Sequence, residues 1–309
     1  MWEPNHSNLT TIFLLGFHNM GNFNLLLFIF LFLIYCGTLF GNLLIVTLWS
    51  LSKTLHSPMY FFLSQLSITD ITLTTEISPN LLRVVLHGNM PMPFSGCIAQ
   101  YYFFSLSEGS ECFLLAVMSY DRYVAICCPL RYTSIMNQRL CILLAVVPWL
   151  LSCMVSTVMT VSILHLQFCG PNTIDHFFCD IIPLLELSCS DVSRIKMQTS
   201  LFGIPVVILP CLLIVLSYMG IVFTILKISS FTGRLKSFST CSSHLTVVCL
   251  FYGTLFAIYL LPNKGQSQMS NKIMSMLYTV FTPFLNPFIY TLRNEDIKKA
   301  LKIVFQMLC

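Results

Sequence analysis

Charge is what this chain has least of: only 9% of its 309 residues are Asp, Glu, Lys or Arg, while 56% are hydrophobic. So sparse a charged surface cannot keep a soluble domain of this size dispersed, which makes a lipid bilayer the natural solvent. Chemical signatures are missing as well. No nucleophile, metal cluster or phosphate loop stands at chemical spacing, so no enzyme is expected. No internal repeat relates the apolar segments, which counts against the common transporter architectures. The chain opens with no basic stretch followed by a short apolar core and a small-residue cleavage site, so the first apolar segment is expected to act as an uncleaved signal anchor. The net charge of +4 requires neither an acidic ligand nor a nucleic-acid partner, because basic residues flanking membrane segments produce it.

What is present is a series of long apolar windows. A bilayer core about 30 Å thick needs roughly 20 apolar residues per helix. Uncharged runs occupy Leu25–Leu48, Cys141–Leu164, Met197–Leu226, Leu245–Leu261 and Ile273–Leu292. Two further windows, Pro58–Leu82 and Ile98–Tyr120, have spanning length but carry Asp70 and Glu76, and Glu108 and Glu111. These runs are continuous rather than alternating, which excludes a barrel and predicts an all-α membrane protein with a seven-helix bundle. The expected organisation is an outer tail over residues 1–24, the bundle over 25–292 and a cytoplasmic segment over 293–309.

Basic residues set the orientation. Lys53, Arg122, Arg131, Arg139, Lys227, Arg234, Lys236, Arg293, Lys298, Lys299 and Lys302 all fall on the side that holds the C-terminus, which predicts a cytosolic C-terminus and an extracellular N-terminus. Two glycosylation sequons, beginning at Asn5 and Asn8, lie on the predicted outer tail and agree with that topology. Within Glu295–Leu308, Ile297, Leu301, Val304, Phe305 and Leu308 share a face and Lys298, Lys299 and Lys302 lie elsewhere, the pattern of a short amphipathic helix on the inner membrane surface. The segment His165–Lys196 is long, polar for this protein and carries Cys169, Cys179 and Cys189; with Cys97 it puts four cysteines on the oxidising side, for which three pairings are open.

Ionisable groups at membrane depth are candidates for function. Asp70 lies near the middle of the second span, with Asn42, Glu111 and Asn286 at comparable depth. Such a cluster can hold a sodium ion or share a proton between Asp70 and Glu111, or it can act as a polar clasp that fixes helix register. Glu76, six residues from Asp70, faces elsewhere and receives no role. In the third span Phe104, Glu108, Glu111, Leu115 and Arg122 form one helical stripe about 27 Å long, from the outer third of the membrane to the cytosolic face. A ligand above and a partner below would therefore touch one rigid element. A metal site of His176, Cys179 and Asp180 is disfavoured, because a disulfide at Cys179 leaves too few donors.

At the inner end of that stripe, Met118-Ser119-Tyr120-Asp121-Arg122-Tyr123-Val124-Ala125-Ile126-Cys127 resembles the third-span signature of olfactory receptors, a branch of the rhodopsin-like G-protein-coupled receptors. Further landmarks resemble the family in order: Gly41-Asn42, Leu55-His56-Ser57-Pro58-Met59-Tyr60, Ser217-Tyr218, Lys236-Ser237-Phe238-Ser239-Thr240-Cys241, and Pro283-Phe284-Leu285-Asn286-Pro287-Phe288-Ile289-Tyr290. The departures are Cys128, where the family usually has His, and Ser237 in place of a usual Ala. A light receptor of the same fold would need a Schiff-base lysine in its seventh span, and Ile273–Leu292 contains none.

The resemblance implies a receptor for small, volatile, mostly apolar odorants that activates a stimulatory heterotrimeric G protein and raises cyclic AMP. It implies that Asp121 holds Arg122 at rest, with Tyr123 beside it, and that Asn286, Pro287 and Tyr290 form a hinge in the seventh span. Tyr218 is implied to swing inward on activation. The implied disulfides are Cys97–Cys179 and Cys169–Cys189. The implied ligand pocket lies between spans three, five, six and seven, with Phe104, Ser105, Glu108, Phe202, Val206, Tyr252, Tyr259 and Thr279 as lining candidates. Glu108 is not part of the family pattern. Its acid is expected to tune ligand choice, either by pairing with a protonated amine or by donating a hydrogen bond to an oxygenated odorant; the plainer alternative is a protonated acid bonded to a neighbouring helix.

Overall fold

A computed structural model of the chain describes residues 9–17, 23–169, 171–259, 268–292 and 294–308, with only the backbone described at 236–240, 258, 259, 268, 292, 295 and 304–308. The sequons at Asn5 and Asn8 and the basic residue Arg293 lie outside the described residues, as do the side chains of Lys236 and Tyr259 and those of the Val304, Phe305 and Leu308 face. Seven long helices form the bundle: α1 Phe23–Leu51, α2 Pro58–His87, α3 Phe94–Cys127, α4 Gln138–Leu164, α5 Ser193–Leu226, α6 Phe231–Tyr259 and α7, residues 268–292. An eighth, α8, Glu295–Leu308, follows α7.

The bundle is turned inside out relative to a soluble protein. Phe40 is 71% exposed while Asp70 is 0% exposed, and Leu26, Leu33, Leu150, Leu212 and Phe223 all face outward. Polar Thr38, Asn42, Ser67, Thr74, Ser110, Glu111 and Ser119 are buried between helices. Lipid tails solvate the outer Leu and Phe as well as a core would, so packing and polar contacts, not apolar burial, hold such helices together. Asp70 and Glu111 accordingly lie between helices, whereas Glu76 is only partly buried.

Proline and glycine shape the helices at defined places. Pro287 lacks the N–H that would bond the Pro283 carbonyl one turn earlier. Asn42 on α1 fills that gap, its Nδ2 donating to the Pro283 carbonyl at 3.1 Å and to Thr38 at 3.1 Å. The neighbouring Gly41 makes the approach possible, since a Cβ there would stand 2.8 Å from the Pro287 ring. Both α5 and α7 contain a turn of π-helix, Thr199–Gly203 and Leu277–Phe281, of the kind frequent at functional sites.

The outer end carries a sheet that apolar run length does not reveal. Strand β1, Thr11–Leu15, pairs antiparallel with β2, Asn89–Pro93, and parallel with β3, Thr173–Ile174. The period is two: Ile12 and Leu14 are fully buried while Thr11, Phe13 and Leu15 are half-buried. Residues 11–15 of the expected outer tail form this strand. Disulfides Cys97–Cys179 and Cys169–Cys189 fasten the long outer segment, the first tying it to α3. Lys272 of α7 adds a third tie, pairing with Asp175 and donating to the Gly16 carbonyl at 2.9 Å.

Candidate functional site

Beneath that outer segment lies a cavity of about 320 Å³. Tyr101, Phe104, Ser105, Glu108, Gly109 and Cys112 of α3 line one wall; Ser152, Val155, Ser156 and Met159 of α4 and Thr199, Ser200, Gly203, Ile204, Val206, Val207 and Ile208 of α5 line others. Leu255 and Phe256 of α6 close the base, and Asp180 and Ile181 form part of the lid. The lid is held in place from both sides. Phe177 and Phe178 are fully buried, Phe178 packs edge-on against Phe104, and the Cys179 N–H donates to Gln100 Oε1 at 2.9 Å.

Four of the expected lining residues, Phe104, Ser105, Glu108 and Val206, face this cavity. Three others do not, and each is engaged elsewhere. Tyr252 turns its hydroxyl to the Cys112 carbonyl at 3.3 Å, Thr279 is fully buried and donates to the Ser275 carbonyl at 2.7 Å, and Phe202 packs with the outer cluster around Met159 and Ile195. The wall expected from α7 is supplied by α4 instead. The small side chains Ser152 and Ser156 allow this, with a Cβ on Gly109 only 2.9 Å from Ser152 Oγ. Ser105 Oγ donates to Ser156 Oγ at 2.9 Å.

The cavity is apolar except for a few groups that converge on it. Glu108 Oε1 and Ser152 Oγ are enclosed and without a hydrogen-bond partner. Asp180 spends one oxygen on the Ile181 N–H at 2.7 Å. Burial pushes its carboxyl up to about 6, opposed by that backbone bond. Among the described residues, no Lys, Arg or His lines the cavity.

Half-way down, Asn286 Nδ2 donates to both Asp70 oxygens, at 3.2 and 3.0 Å. Asn42, expected to join this cluster, serves the Pro283 carbonyl instead. Glu111 Oε1 and Asn286 Oδ1 are buried without partners among the described residues. These are oxygens that a hard cation or a shared proton would satisfy.

At the inner end the contacts are closed. Asp121 accepts from Arg122 Nη2 at 2.5 Å and Nε at 3.2 Å with one oxygen, and from the Tyr132 hydroxyl at 2.7 Å with the other. Arg122 is 12% exposed and Asp121 1%. Tyr123 packs on α5, where a Cβ on Gly220 would meet its ring at 2.6 Å. Tyr218 reaches His244 Nδ1 at 2.7 Å, and His244 Nε2 lies 3.1 Å from the Leu115 carbonyl. A carbonyl only accepts, so Nε2 carries the proton and Nδ1 accepts from the Tyr218 hydroxyl. His244 thus bridges α5, α6 and α3. Sequence reading passed over it, although a lone histidine in an apolar span was a usable signal. Tyr132 is a second such residue, and no local pattern marks its bond to Asp121.

Comparison with known proteins agrees with this architecture. The sequence profile described as "Olfactory receptor" matches residues 30–309. The chain is 47% identical over 298 residues to human Olfactory receptor 10A7, covering 96% of this chain and 94% of that protein. It is 44% identical over 302 residues to mouse Olfactory receptor 5P53, covering 98% and 97%. The crystal structure of squid rhodopsin is similar in fold, with a TM-score of 0.71 at 16% identity over 91% of this chain and 84% of that one. The chain is therefore a multi-pass plasma-membrane signalling receptor rather than an enzyme, and it belongs to the olfactory receptor family.

Proposed function

We propose that small, mostly apolar odorants bind in the cavity between α3, α4, α5 and α6, and that the bound receptor activates a stimulatory heterotrimeric G protein at its Arg122 end, raising cyclic AMP. The observation that carries this reading is that α3, unbroken from Phe94 to Cys127, lines the cavity at Phe104 and Glu108 and bears the Asp121–Arg122 pair at its other end. One rigid element thus touches both sites, which is the physical requirement for coupling between them. The N-terminus lies outside and the C-terminus in the cytosol, as the basic residues require. Asn5 and Asn8 then stand where glycans are added.

Release of Arg122 from Asp121 is the step that opens the inner face, and the α7 segment around Asn286, Pro287 and Tyr290, together with Tyr218, moves with it. The Asp70–Asn286 pair with Glu111 holds a sodium ion or a shared proton in the resting state, supported by the unpartnered oxygens there. The test is cyclic-AMP production in cells bearing the receptor and a stimulatory G protein, over a panel of volatile amines, acids, alcohols and esters. A saturable response is expected, and it should disappear in Arg122→Ala while surface expression persists. A full response in that variant would refute the coupling route.

A further inference from the structure

Resting on the reading that this cavity is the odorant site, we propose that its preferred ligands are small protonated amines, with the ammonium group held by Glu108 and Asp180 and the hydrocarbon body against Phe104, Val206 and Phe256. Three observations on the cavity lead there. Glu108 Oε1 is enclosed and unpartnered, so the acid is not tied off by a neighbouring helix through that oxygen. Asp180 is a second carboxyl on the same cavity, within electrostatic reach of the first. Among the described residues, no basic side chain lines the cavity to compensate either of them.

Two carboxyl groups in an apolar enclosure have lost water and disfavour joint ionisation, so neither holds a negative charge there without cost. A ligand that brings one positive charge relieves both costs, whereas a neutral alcohol or ester relieves neither and a carboxylic acid adds to the repulsion. An ammonium has three donors and no acceptor, which matches an unpaired carboxylate oxygen and an unpaired serine hydroxyl, here Ser152. The remaining surface is aromatic and aliphatic and suits a hydrocarbon body.

The experiment uses the full-length receptor in lipid nanodiscs. Thermal stabilisation is read with hexylamine and cyclohexylamine against their neutral counterparts hexanol and cyclohexanol, and cyclic AMP is read in cells with the same four compounds. Amines should stabilise the wild-type receptor at lower concentration than the alcohols. Glu108→Gln should raise the amine concentration needed by on the order of tenfold or more, as expected for loss of a charged hydrogen bond, and should move the alcohol response far less. Glu108→Asp keeps the charge and should keep the amine preference, which separates loss of charge from loss of fold. Asp180→Asn should weaken amine binding by a smaller factor. Equal stabilisation by amines and alcohols, an unchanged amine preference in Glu108→Gln, or no stabilisation by any amine would each overturn the proposal. Amine binding without cyclic AMP would uphold it and break the signalling reading; alcohol-driven cyclic AMP without amine preference would do the reverse.

Discussion

The two ends of α3 treat polar groups in opposite ways. Around the outer cavity, Glu108 Oε1 and Ser152 Oγ are left without partners. Around the inner arginine, both Asp121 oxygens and both His244 nitrogens are used, although the Tyr290 hydroxyl goes unpaired among the described residues. An unpaired buried group costs free energy until something arrives to satisfy it, which is the property the proposed ligand site draws on. A closed network resists rearrangement until a better set of contacts is offered, so the inner end is built to hold one state.

The contrast can be broken most severely from the inner side. Asp121→Ala would strand a mostly buried guanidinium, at a cost of about 3–5 kcal/mol for an uncompensated charge, and thermal melting in nanodiscs should fall sharply while ligand-free cyclic AMP rises. Unchanged melting would mean that Arg122 finds another partner at no cost. Next in size is Asn42→Leu, which leaves the Pro283 carbonyl without its donor and should cost about 1–3 kcal/mol in the same assay. Gly41→Ala should act in the same direction by forcing α1 away from the Pro287 ring, and an Asn42 variant as stable as wild type would show that water replaces the side chain.

The outer lid offers a subtler lever. Burial, then the nearby Lys272 charge, hold the His176 imidazole at about 4, below its ordinary 6.5, against a smaller opposing effect of Asp175. A group with a depressed folded pKa adds stability that is present above 6.5 and is lost as pH falls toward 4, because the unfolded state takes up the proton first. Asp180, raised to about 6, works in the opposite sense and gains stability for the fold as pH falls through that value. His176→Gln should therefore melt with less acid sensitivity than wild type between pH 6.5 and 4, and parallel melting curves would reject this. The smallest effect belongs to Ser156→Ala. Ser105 keeps its bond to the Tyr102 carbonyl at 3.0 Å, so stability should change by at most about 1 kcal/mol, with any shift in odorant ranking confined to ligands that reach α4.

Features set by local composition were legible in the chain. Spans follow from apolar runs about 20 residues long. The stripe from Phe104 to Arg122 follows from helical spacing alone. Where reading went astray, the partner was remote. Asn42 was assigned to Asp70 by depth, yet it bonds a carbonyl 241 residues away that is free only because Pro287 sits one turn later. The cavity wall was assigned to α7, yet small residues on α4 opened space there, and no single-chain pattern says which small face meets which neighbour.

By itself, then, the sequence determined a seven-helix membrane bundle and the acids and basic residues that membrane depth makes costly, because each of these is a property of a segment against its solvent. Only the tertiary structure decided that β1 folds back as a strand over the mouth, that His244 joins three helices, and that Asp180 and Glu108 face one cavity. Those depend on which surfaces meet, and in lipid that choice rests on close packing and matched polar groups, which a linear pattern does not encode.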